Sequence, residues 1–267
     1  MILADNLNLV KKISLTVWCV LMLAILSGCS VSKEPEIYAI TGLSMGTSYT
    51  VKWVSQDNSD YDNVANSVAA ELSRVELSMS TYMDASDLSG FNGAAINEWH
   101  KVPAEMASLV AQSLDLSEQT NGAFDITVGP LVNLWGFGVD PLPKNIPSQD
   151  ALDKLRSVVG YQFLQVQQQP PAMLKLADSA IDLSAIAKGY GVDAVARLLE
   201  LHELNDYLVE VGGELRAHGK KPDGSPWRIA IETPSVDARQ IYQVVKVNNM
   251  AVATSGNYRN YYEQDGT

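Results

Sequence analysis

From residue 37 to residue 54 apolar and polar side chains alternate, with Tyr49, Val51 and Trp53 on one side, and this period of two predicts a strand after a glycine-containing turn. The period then changes. Val64, Val68, Leu72 and Val75 recur at helical spacing behind Asp60, which predicts a helix capped by that aspartate and ending near Met79. Pro103 opens a second helix, with Met106, Leu109, Val110 and Leu114 on one face and Gly122 as its stop. The Pro- and Gly-rich stretch 136–147 predicts a surface loop, and Ser148 a cap for a short helix ending at Gly160. Strands are predicted around 163–167 and 173–177, with a third running into Ile181-Asp182-Leu183. A helix over about Ala187–Leu201 turns Val192, Val195, Ala196 and Leu199 inward. Residues 206–232 predict a hairpin, with Tyr207–Val211 returning as Trp227–Ile231 through the Pro-Asp-Gly turn at 222–224, and 241–247 predicts a last strand. Helices mixed with hairpin and crossover signals predict an α+β fold of mixed or antiparallel sheets and packed helices. No internal repeat or low-complexity tract interrupts the pattern.

The N-terminus follows a different rule. Lys11 and Lys12 precede an apolar run, Ile13–Leu26, of 14 residues. As a helix it spans about 21 Å, short of the roughly 20 residues that a hydrocarbon core of about 30 Å requires. A signal-peptide core fits better than a transmembrane anchor. Ser27 and Gly28 are small, and Cys29 follows at once. The box resembles that of bacterial lipoproteins, in which cleavage precedes the cysteine and lipid is added to its sulfur; two or more chains anchor a protein stably. The expected layout is a signal peptide over 1–28, a tether over 29–36 and one domain over 37–267. Asp5 is unusual in an n-region, which points to a start further downstream.

Cys19 and Cys29 are the only cysteines, so after cleavage no internal disulfide could form. The chain carries 19 basic and 31 acidic residues, a net charge of −12, and loss of 1–28 leaves 17 against 30, or −13. That balance excludes nucleic-acid binding through a general field. A phosphate ligand must be met locally, by backbone N–H groups, a metal or a single lysine.

Candidate chemistry begins at Ile181–Gly191. A strand is expected to end at Asp182, with Ser184 as helix cap and Gly189 and Gly191 near the helix start. Helix N-termini attract anions. Lys188 in that first turn is electrostatically misplaced unless an anion such as a diphosphate compensates it; the alternative is a solvated lysine, with Asp182 a turn-former. Gly122-Ala-Phe-Asp-Ile-Thr-Val-Gly-Pro is a turn that is apolar around one carboxylate, Asp125. Its small residues would let a planar ring approach, or it is a helix stop followed by core packing. Met45, beside Gly46, could lie against a ring or fill a core. Tyr82 could stack on a ring or be a buried structural tyrosine.

In order along the chain, GLSMGTSY, SMSTYMDASDLSGFN, GAFDITVGPLVNLWGFG, DLSAIAKGYGVD, YLVEVGGELRAHG and ATSGNYRNYY resemble the successive motifs of the ApbE family, the FAD:protein FMN transferases. The resemblance covers about 40–264, and the GAFD block is its most specific part. It implies an ApbE-like (T-fold-like) architecture and an enzyme that splits FAD, passes FMN to a Thr or Ser hydroxyl of a protein and releases AMP. The implied acceptors are subunits of sodium-pumping NADH:quinone reductases and related electron-transfer complexes. The FAD contacts it implies fall on Met45, Tyr82, Ala123, Phe124, Asp125, Asp182 and Lys188, although some relatives carry Glu at position 188. The backbone carbonyl of Ala185 is the implied contact to Mg²⁺, an ion that takes hard oxygen ligands and shares them with substrate phosphates. With Cys29, the resemblance implies a lipid-anchored protein facing the periplasm, with the inner membrane favoured over the outer.

Relatives continue past the SGNYRNYY motif into a His-containing segment and later metal ligands, and the sequence given stops at Thr267. None of His100, His202 and His218 is assigned as a catalytic base. The expectation is weak metal binding and slow or absent FMN transfer by these 267 residues. The competing readings are a non-catalytic flavin-binding lipoprotein and an enzyme that hydrolyses FAD to FMN and AMP. A general solute-binding lipoprotein accounts for Cys29 but not for the GAFD and DLSAIAKGYG blocks.

Overall fold

The computed structural model describes residues 33–57, 59–139, 143, 146–234 and 240–256, so Cys29 and the motif residues from 257 onward lie outside the described residues. Residues from Glu36 onward make up one compact unit, distinct from 1–35.

The alternating stretch 37–54 forms two strands rather than one. Strand β1 (Glu36–Ser44) turns back as β2 (Thr47–Ser55), with Ser44 opposite Thr47. The two turn residues, Met45 and Gly46, have φ of +54° and +69°. Two successive positive φ values match the right-handed twist of the flanking strands. Glycine adopts this region freely, whereas Met45 is there at a cost of about 1 kcal/mol, offset by its packing between two core clusters.

The main sheet continues from β1 and β2 through β6 (Tyr207–Val211) and β7 (Glu214–His218) to β10 (Met250–Val252), in that order, with every pairing antiparallel. Here the expected hairpin is corrected. Strand β6 (Tyr207–Val211) returns directly as β7 (Glu214–His218), with Val211 opposite Glu214. Gly212 and Gly213, at φ +58° and +99°, close the turn in two residues. Short closure costs less entropy than the route through 222–224. The Pro-Asp-Gly turn does form, with Gly224 N–H donating to Lys221 O at 2.8 Å, but it leads from β7 into a different sheet. There β8 (Trp227–Glu232) pairs with β9 (Ile241–Val247). Strand β10 (Met250–Val252) then rejoins β7 at the sheet edge.

One face of the main sheet is covered by α1 (Tyr61–Met79) and the long helix α6 (Ser184–Leu201). Val64, Val68 and Leu72 of α1 and Val192, Val195, Ala196 and Leu199 of α6 bury against Tyr49, Val51, Trp53, Tyr207, Val209 and Val211. Each such side chain contributes about 1.5–3 kcal/mol of burial. On the other face, Leu208 and Ala217 meet Trp227 and Val247. A second core joins α2 (Asp87–Asn92) and α3 (Ala104–Gln119) to a three-stranded sheet, β3-β5-β4, formed by His100–Lys101, Pro171–Lys175 and Leu164–Gln168. Two short helices, α4 (Gly129–Leu134) and α5 (Gln149–Arg156), complete the unit.

Ser148 caps α5 by accepting from Ala151 N–H at 3.3 Å, as expected, but that helix ends at Arg156, before Gly160. Asp60 sits at the N-cap position of α1 without capping it. Its carboxylate instead takes Asn63 Nδ2 at 2.9 Å and His202 Nδ1 at 3.2 Å. Among the described residues, no helix is long and apolar enough to cross a membrane.

Candidate functional site

The segment expected to be a strand at Ile181–Leu183 belongs to no sheet. Its backbone bonds go elsewhere. The Asn92 carboxamide clamps Ile181 on both sides, accepting from its N–H and donating to its carbonyl, each at 2.9 Å. Asp182 N–H donates to Ile126 O at 2.8 Å, which ties the segment to the GAFD turn. Gly129 closes the remaining side, because a Cβ there would lie 2.7 Å from Ala180 O. Below, the buried Lys175 ammonium donates to Asn92 O at 2.6 Å. Burial pushes that ammonium below the ordinary lysine range, partly offset by Asp178.

This irregular segment delivers Asp182 to the start of α6. The helix begins at Ser184, earlier than expected, and Ser184 does not cap it. Asp182 Oδ1 accepts from Ser184 N–H at 2.7 Å instead. Ala185 is exposed in the first turn. Two residues expected on or beside the site, Lys188 and Met45, each find a partner further along. Lys188 Nζ lies 2.8 Å from Glu214 Oε2 and donates to Gly212 O at 3.4 Å. The charge that compensates Lys188 is therefore an internal carboxylate supplied by the β6–β7 turn. The Met45 sulfur would lie 3.0 Å from a Cβ at Gly191, so the thioether occupies space that a larger residue on α6 would take.

Asp125 is bound into the fold. Oδ1 accepts from Thr127 N–H at 2.8 Å and from the Thr127 hydroxyl at 2.7 Å, and Oδ2 accepts from Tyr161 N–H at 2.9 Å. Phe124 packs against the second core, while Ala123 is exposed. Tyr82 is 66% exposed, which excludes the buried structural tyrosine. Its neighbour Thr81 lines a cleft of about 220 Å³ with Ser89, Asn92, Gly129, Asn133 and Asp182.

Of the expected site residues, Asp182, Ala185, Lys188 and Met45 fall around the N-terminal half of α6, and Asp182 also lines the cleft. The histidines do not. His202 caps the far end of α6, His218 Nδ1 donates to Asn205 O at 2.6 Å, and the His100 ring packs on Phe91. Sequence reasoning missed Asn92, Lys175, Gly129 and Glu214. The Gly-Gly pair between two alternating stretches was the available signal for the Glu214 turn. Among the described residues, no three or more His, Cys, Asp or Glu side chains gather as a metal group. A magnesium ion at the Ala185 carbonyl would need further oxygen ligands, which a bound diphosphate can share.

Residues 45–267 match the family model described as ApbE family. The chain is 40% identical over 245 residues to the FAD:protein FMN transferase of Vibrio cholerae, covering 91% of this chain and 72% of that protein. It is 38% identical over 263 residues to the FAD:protein FMN transferase of Haemophilus influenzae, covering 96% and 75%. Among solved structures, the flavin transferase ApbE from Vibrio cholerae superposes with a TM-score of 0.78 at 38% identity, over 86% of this chain and 74% of that one. The apo form of the Pseudomonas stutzeri flavinyl transferase ApbE gives 0.77 at 38% identity, over the same shares. The chain belongs to the ApbE family.

Proposed function

We propose that this protein transfers FMN from FAD to a Thr or Ser hydroxyl of an acceptor protein. The observation that carries the reading is the joining of the GAFD turn to Asp182 and α6 beside an open cleft, in a chain whose relatives are named FAD:protein FMN transferases. At the α6 N-terminus Ser184 N–H is held by Asp182 and the Ile186 and Ala187 N–H groups by Leu183 O, so what favours the diphosphate there is the helix dipole. Lys188 adds little net charge, since Glu214 neutralises it. The exposed Tyr82 ring offers a stacking face.

In the reaction the acceptor oxygen bonds to the FMN phosphorus and its proton passes to a base. The bond from that phosphorus to the bridging oxygen breaks, and AMP leaves with that oxygen. Positioning and charge stabilisation dominate such transfers. A bound Mg²⁺ would supply neutralisation of the diphosphate charge. The residues described above bind and orient the dinucleotide. The acceptors that the family resemblance implies are subunits of a sodium-pumping NADH:quinone reductase or a related electron-transfer complex.

Incubation of the natural full-length protein with FAD, Mg²⁺ and an acceptor domain tests the reading. AMP release with FMN bound covalently to the acceptor is expected, and EDTA should abolish it. AMP with free FMN would mean hydrolysis, and FAD binding without AMP would mean a flavin-binding protein; either outcome overturns transfer.

We also propose a lipid anchor at Cys29, with the domain on the periplasmic side and the inner membrane favoured. The Leu-Ser-Gly-Cys box behind a short apolar run supports it. Wild-type protein should sediment with membranes and Cys29→Ser should not incorporate labelled palmitate. Equal labelling of both would sink the proposal.

A further inference from the structure

Lys175 has no part in the chemistry above, yet it is the one Lys, Arg, Asp or Glu in the buried set among the described residues, at 2% exposure. Its partners are carbonyls: Asn92 O at 2.6 Å and Ser179 O at 3.5 Å. The carboxylate nearest to it, Asp178 Oδ1, is 4.0 Å away on a side chain that is 91% exposed. An apolar chain of similar length would fill this space without the cost of burying a charge. What the ammonium gives in return is a fixed Asn92. The carbonyl of Asn92 is held from below, and its carboxamide holds both backbone groups of Ile181. Asn92, Ile181 and Asp182 all line the cleft. The bonds run without interruption from the buried charge to the cleft wall.

We infer that Lys175 is a positioning residue for FAD: through Asn92 it locks Ile181 and Asp182 in the non-sheet conformation that presents Asp182 to the dinucleotide. This rests on the transferase reading. The relay leaves the ligand itself untouched by Lys175, so its removal should act on binding geometry rather than on any reacting atom.

The test is Lys175→Met, which keeps most of the volume and loses the donor. FAD affinity is read by flavin fluorescence, and hydrogen exchange is read at the Ile181 and Asp182 amides. Both are measured where near-UV circular dichroism shows the variant folded. FAD binding should weaken about tenfold, the effect of losing roughly one charged hydrogen bond's worth of alignment. Exchange at Ile181 should quicken while that of Val195 in α6 holds. If Lys175→Met does not fold, Asn92→Asp carries the test, since it keeps an acceptor for Ile181 N–H and loses the donor to Ile181 O. Weaker FAD binding with faster Ile181 exchange supports the inference. A folded variant that binds FAD like wild type overturns it, even if its melting temperature falls. Absence of FAD binding by the wild-type protein is a separate result, which removes the transferase reading and the inference with it.

Discussion

Gly129→Val is expected to destabilise the protein by about 3 kcal/mol and to weaken FAD binding at least tenfold. Gly129 opens α4 and is buried. Its φ of −44° is ordinary, so backbone freedom is not why it is glycine. Space is. A Cβ would meet Ala180 O at 2.7 Å, the Ala180 carbonyl carbon at 3.3 Å and the Ile181 carbonyl carbon at 3.6 Å. These are backbone atoms, and they cannot swing aside as a side chain would. The Asn92 carboxamide pins Ile181. Either α4 must retreat or the 180–182 segment must give up bonds to Asn92 and Ile126. Urea denaturation reads the stability, and flavin titration reads the cleft. Gly189→Ala is the control, because nothing lies within 4 Å of its Cβ position in mid-helix. It should be neutral or stabilising by up to about 1 kcal/mol. Equal behaviour of the two variants would refute the close approach at Gly129.

The contrast between these glycines shows what the sequence could reveal. Residues with local partners were legible. Val64, Val68 and Leu72 on α1, and Val192, Val195 and Leu199 on α6, point inward as their spacing predicts, because helical period alone decides the face. Of the main sheet, the sequence predicts Tyr207–Val211 as a strand, but it predicts one strand over 37–54 where there are two, and it does not predict β7 or β10. Two turn signals compete after Val211, and the nearer, Gly212-Gly213, wins because it closes the shorter loop. Ile181–Leu183 looks like a strand because apolar content carries no information about where backbone bonds go. Its partner Asn92 lies 89 positions away. Lys188 drew attention as a cation lacking an anion, and the anion proved to be Glu214, brought in by the misread hairpin. Burial of a lysine, as at Lys175, leaves no trace in periodicity. The elements followed from the chain; the clamp that shapes the cleft required the tertiary structure.

Asp125→Ala is expected to have a still larger effect, a loss of about 4 kcal/mol, because the carboxylate accepts three bonds and hydrogen bonds to charged groups are worth about 1.5–3 kcal/mol each without being strictly additive. The donors left behind are two from Thr127, which is fully buried, and the Tyr161 N–H. The same carboxylate caps the 3₁₀ turn Ile126–Val128, whose first carbonyl receives Asp182 N–H. Asp125 therefore supports the cleft from behind, and loss of the side chain should loosen both the turn and the Asp182 segment. Asp125→Asn separates this role from direct ligand contact. The amide keeps one acceptor oxygen but points donors where an acceptor is needed, so about 2 kcal/mol should be lost in urea denaturation. FAD affinity should fall only as far as the fold loosens. If Asp125→Asn instead retains full stability while FAD binding collapses, the carboxylate's main partner is the dinucleotide, and the bonds to Thr127 and Tyr161 are secondary. An internal role makes the opposite demand, that stability and flavin binding decline together.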